Sequence, residues 1–100
     1  MDYNKIKKNY YYVNILEEDN YVFLADSWDT VFMFLITYYE GKNTDQQKRI
    51  IKNIKDLSDK VYMLKKFLDV DISFISILEN PLCVDCDCIK ELDIDGDEIR

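Results

Sequence analysis

The sequence predicts an α+β fold on three observations. Two short runs of aromatic and β-branched residues lie near the start, a long apolar stripe at helical spacing fills the middle, and apolar and acidic residues alternate with a period of two at the end. One hundred residues with 48% apolar content make a single globular domain over 1–100, too small for two cores and too hydrophobic for disorder.

The runs YYYVNIL (10–16) and YVFLA (21–25) flank the polar stretch EEDN and predict an N-terminal β-hairpin. Strand alternation puts Tyr11, Val13 and Ile15 on one face and Tyr10, Tyr12 and Asn14 on the other. Asp26 or Ser27 can cap a first helix over about 27–40, which Gly41 ends. That helix is apolar nearly all round, so it is either sandwiched inside the fold or covered by another subunit.

TDQQ at 44–47 fits a capping box, with Thr44 as N-cap and Gln47 three residues on, and predicts one helix over about 45–69. Ile50, Ile51, Ile54, Leu57, Val61, Leu64 and Leu68 form its apolar stripe. Lys48, Arg49, Lys52, Lys55, Lys60, Lys65 and Lys66 fall on its outer face, against Asp45, Asp56, Asp59 and Asp69. With four acids among the bases and no interleaved aromatics, this is a solvated, ion-paired face and not a nucleic-acid site.

VDISFISIL (70–78) reads as a strand that ENP at 79–81 breaks. From Leu82 the even positions Leu82, Val84, Cys86, Cys88, Leu92 and Ile94 are apolar, Lys90 excepted. The odd positions Asp85, Asp87, Glu91, Asp93 and Asp95 are acidic, with Cys83 and Ile89 as exceptions. This parity predicts a C-terminal antiparallel β ribbon with one face in the core and an acidic outer face, and Asp95-Gly96 suits a tight turn.

Charge is distributed unevenly. Residues 1–78 carry 12 acids and 11 bases, whereas 79–100 carry 8 acids and 2 bases, so nearly the whole formal charge of −7 is C-terminal. Histidine is absent, which removes the commonest general base and the commonest zinc ligand. The two glycines, Gly41 and Gly96, sit in neither phosphate-binding loop pattern.

The longest apolar run, VFMFLI, is six residues, against the roughly 20 that span a bilayer. Together with a start too polar for a secretory signal, it predicts a cytoplasmic protein with no membrane passage. Scarce Gly, Pro and Ala beside abundant Asn, Lys, Ile and Tyr suggest AT-rich coding DNA, hence a low-GC bacterium, a phage or another virus, and host cytoplasm in the viral case.

Four chemistries compete for the C-terminal segment. Cys83, Cys86 and Cys88 have half-site spacings for zinc or softer metals, but a closed site wants four ligands and the chain offers no fourth cysteine; packing of small thiols is the plainer reading. ELDIDGDEI begins like a calcium loop and fails downstream, with Ile99 one position late and no glutamate at position 12. Exposed strand carboxylates have no cause for the raised pKa that acid–base catalysis needs, so no enzyme and no cofactor is expected.

Recognition through charge is the fourth. Alternate strand residues lie about 6.6 Å apart, close to the phosphate spacing along a nucleic-acid strand, so Asp85, Asp87, Glu91, Asp93, Asp95 and Asp97 can imitate a phosphate row. Tyr10 and Tyr12 are candidate interface anchors beside it.

In size, acidity and coding bias the chain resembles the small inhibitors that phages use against host nucleic-acid enzymes, anti-CRISPR proteins among them, without sharing a motif. The sequence therefore leads to a non-enzymatic inhibitor whose acidic face occupies a basic, nucleic-acid-binding cleft of a partner protein. It would bind no nucleic acid itself. The alternatives are an immunity protein or antitoxin against a basic toxin, and a metal-binding homodimer built on the cysteines.

Overall fold

A computed structural model describes residues 7–39, 44–79 and 89–99. The elements are β1 (Asn9–Ile15), β2 (Asp19–Ala25), α1 (Trp28–Tyr38), α2 (Thr44–Asn53), α3 (Leu57–Leu68), β3 (Ile72–Leu78) and β4 (Ile89–Glu91). They build an α+β fold with a four-stranded mixed sheet of order β3-β1-β2-β4.

β1 and β2 form the expected hairpin, antiparallel with Tyr11 opposite Phe23 and Val13 opposite Tyr21. The parity of β1 is as the sequence implies. Tyr11, Val13 and Ile15 are buried against the helices, whereas Tyr10, Tyr12 and Asn14 lie on the opposite face, which is helix-free among the described residues. β3, the strand expected within 70–78, pairs antiparallel with β1, Val13 facing Ile75.

Ser27 is the N-cap of α1, its hydroxyl accepting from Thr30 N–H at 3.3 Å, while the Asp26 carboxylate accepts from the Thr30 hydroxyl. Val31, Phe32, Met33, Leu35 and Ile36 are all buried, because α1 packs against β2 and against α2 and α3. Sandwiching inside the fold thus accounts for its all-round apolarity. Gly41, the expected stop, lies outside the described residues, and the helix ends at Tyr39 with a bond from its N–H to the Leu35 carbonyl.

The single helix expected over 45–69 is two. Asp56 takes extended backbone angles and its carboxylate accepts the Ser58 N–H at 2.8 Å, so it caps a new helix instead of continuing the old one. The break divides the apolar stripe: Ile51, Leu64 and Leu68 are buried, while Ile50 and Leu57 remain 37% and 38% exposed. It also takes Lys60 out of solvent, against its expected place on the outer face. α2 starts at Thr44 itself, and Gln47 Oε1 is buried without a hydrogen-bond partner among the described residues.

The C-terminal ribbon is also different. β4 pairs with β2 in parallel, Val22 with Ile89 and Leu24 with Glu91, and among the described residues the antiparallel part is a single bridge between Leu92 and Glu98. β4 ends where the chain turns at Asp93, immediately after Leu92 has entered the core and donated its N–H to the Leu24 carbonyl. Among the described residues no helix is long and apolar enough to cross a membrane.

Candidate functional site

Of the residues singled out in the sequence, Asp85, Asp87, Cys83, Cys86 and Cys88 lie outside the described residues. Those that are described fall into two groups, an acidic turn and an aromatic sheet face.

The turn is built by Asp93 and Gly96. Asp93 Oδ1 accepts from the N–H of Asp95 at 2.9 Å and of Asp97 at 3.0 Å, and its carbonyl accepts from Gly96 N–H at 3.0 Å. The chain then returns, Asp93 N–H to the Asp97 carbonyl and Ile99 N–H to the Glu91 carbonyl. Gly96 has φ +85° and is pressed on α1, where a Cβ would stand 2.8 Å from Met33 Cβ and 3.1 Å from the Thr30 carbonyl oxygen. The expected tight turn therefore forms, tied by the Asp93 carboxylate and packed against α1.

The alternation fails at this place. Ile94, expected in the core, is 64% exposed, and Gly96 is buried in its stead. Glu91 is the last residue of β4, so a straight strand row does not continue through Asp93 and Asp95; a compact cluster replaces it.

The carboxylates differ in their partners. Glu91 Oε2 accepts from Lys8 Nζ at 2.7 Å, and Glu98 lies 3.6 Å from Lys90 Nζ. Asp93, Asp95 and Asp97 have no ion-pair partner among the described residues, and Asp95 and Asp97 are exposed. Thr30, whose carbonyl lies against Gly96, is itself held through its hydroxyl by Asp26. No three His, Cys, Asp or Glu converge into a metal-holding group among the described residues. Asp93 spends an oxygen on its own backbone.

Tyr10 and Tyr12 are half-buried on the sheet's helix-free face. The Tyr12 hydroxyl donates to Asn20 Oδ1 at 2.7 Å, and its ring lies 5.8 Å from that of Phe74. No family model matches the chain, and no curated protein or solved structure is significantly similar to it.

Two participants had escaped the sequence reading. Lys8, remote in sequence from Glu91, neutralises it, which no local pattern reveals. Phe74 is 57% exposed on the face it shares with Tyr12, which no helix covers among the described residues, an outcome of topology that no local pattern shows.

Proposed function

We propose that this chain is a non-enzymatic binding protein whose acidic C-terminal surface docks on a basic, nucleic-acid-binding surface of a partner protein and competes with the nucleic acid there. The supporting observation is the turn 93–97. Its backbone is fixed by the Asp93 carboxylate and by the Gly96 contact with α1, and it presents Asp95 and Asp97 without a cationic partner among the described residues. With the backbone already tied, only two short side chains remain to be ordered on meeting arginine or lysine, so charge attraction appears as affinity and as a fast association rate.

Asp93 and Gly96 are the structural members and Asp95 and Asp97 the contacting ones. The test is affinity capture from host-cell lysate by the immobilised chain, with D95K/D97K as comparison. The proposal expects a nucleic-acid-binding protein that is displaced by added DNA or RNA, is released near 0.5 M salt through screening, and is lost with the charge-reversed variant. Equal recovery by both chains, or retention in high salt, would sink it.

A further inference from the structure

We propose that the free edge of β3 is a second docking site, which accepts an extended segment of another protein as a fifth strand. That segment has apolar residues in its middle and lysine or arginine at both ends.

Among the described residues β3 stands first in the strand order and pairs with β1 alone. No strand among the described residues pairs with its other edge, and the Ile77 carbonyl accepts a long local bond from Ser76 Oγ at 3.4 Å. Exposed edges are normally blunted by charges, proline, bulges or brevity. The seven residues ISFISIL contain neither charge nor proline, and the one register shift, at Asn14/Ile15, leaves Phe74 to Leu78 regularly paired.

Side chains reinforce the invitation. Phe74 and Ile77 are 57% and 54% exposed and, being three apart, project from opposite faces, so an added strand would find apolar contacts on both. Beside the edge lies a groove of about 370 Å³ between α3 and β3, lined by Leu57, Val61, Ile72 and Ile75 among others.

Charge chooses the occupant. Asp71 immediately precedes the strand and exposed Glu79 immediately follows it. Glu17 joins the Asp71 end, where its N–H donates to Ser73 Oγ at 3.0 Å. Lys65, 3.3 Å from Asp71, offsets one of these charges and leaves both ends acidic.

A second copy pairing antiparallel about Ile75 would set Asp71 against Glu79 of its twin at both ends, between chains of formal charge −7. A basic-ended segment meets the opposite sign at each end. This edge lies across the sheet from β4 and the turn that follows it, so the inference stands or falls independently of the acidic turn.

The test is amide-resolved NMR of the isotope-labelled chain titrated with the synthetic peptide KKVTVTVKK and, for comparison, EEVTVTVEE. The expected result is shift changes and slowed amide exchange along 72–78, with about tenfold tighter binding of the lysine-ended peptide, as expected for two exposed charge pairs. Phe74→Lys and Ile77→Lys, at exposed positions whose fold is checked by circular dichroism, should each abolish it. Silence of β3 at about 1 mM peptide, equal binding of both peptides, or shifts confined to 93–97 would overturn the inference. So would a wild-type dimer in sedimentation that Phe74→Lys splits, which would give the edge to a second copy.

Discussion

Lys60 Nζ lies 2.7 Å from Asp29 Oδ1 and 3.0 Å from the Ile51 carbonyl oxygen, so one ammonium ties α3 to both α1 and α2. Lys60 is 9% exposed, whereas the Asp29 side chain is 37% exposed and open to water. Lys60→Ala loses the packed stem and one of the two donors to the Ile51 carbonyl, which keeps the Ile54 N–H, a loss of about 2 kcal/mol. Lys60→Met keeps the stem and should lose about 1–2 kcal/mol. Asp29→Asn should lose less than about 1 kcal/mol, since the ammonium keeps the carbonyl and water can replace the carboxylate. Urea midpoints at constant slope measure all three; equal losses would deny Lys60 this joining role.

Gly96 offers a sharper test. Its φ of +85° disfavours any L side chain, and a Cβ would collide with Met33 Cβ, an atom that cannot swing aside. Gly96→Ala should therefore destabilise by about 2–4 kcal/mol through backbone strain and overpacking together. Gly96→Asn separates the two causes, because asparagine tolerates the left-handed region but still carries the Cβ. It should remain far less stable than wild type in chemical unfolding. Wild-type stability of the asparagine variant would mean that the turn does not rest on α1.

These two residues show where legibility ended. The hairpin and the inward parity of Tyr11, Val13 and Ile15 follow from a local period of two, and the Ser27 cap from side-chain chemistry one turn away. The break at Asp56 was harder, because the apolar stripe runs through it and a single carboxylate decides between continuing a helix and capping the next. The parallel partnership of β4 with β2 and the burial of Lys60 depend on contacts between residues far apart in the chain. In the acidic segment residues 82–88 lie outside the described ones; Leu92 turns inward as the alternation implies, and from Asp93 side-chain bonds to the backbone outweigh it.

The hairpin turn is strained, and relief should stabilise the protein. Leu16 and Glu17 have φ of 58° and 59°, left-handed values for two residues with side chains, and Glu18 N–H closes the turn on the Ile15 carbonyl at 3.2 Å. Each such residue costs about 1–2 kcal/mol relative to glycine or asparagine, which favour this turn. Leu16 is 50% exposed, and the bonds from Leu16 N–H to the Asp71 carbonyl and from Glu17 N–H to Ser73 Oγ use the backbone alone. L16N/E17G therefore keeps them. After the added freedom of glycine in the unfolded chain, the net gain should be about 1 kcal/mol, a rise in melting temperature of about 4–8 °C. A lower melting temperature would show that the side chains hold the turn.

Alkaline pH should act through Tyr21 and Tyr39. Burial, followed by repulsion from Tyr39, Tyr38 and Asp19 when the phenol ionises, pushes Tyr21 up from 10.0 to about 12. Tyr39 is also raised, chiefly by burial, although its hydrogen bond with Tyr21 works in the other direction. Because the fold favours the protonated phenol of Tyr21, this contribution to stability is complete below pH 10 and disappears as pH rises through about 12. Unfolding free energy measured across that window should fall, and should fall less steeply in Tyr21→Phe. In a tyrosinate absorbance titration of the eight tyrosines, the same variant should lose an ionisation from the late end of the curve. Loss from the ordinary range near 10 would place the Tyr21 phenol in solvent and remove its part in the alkaline transition.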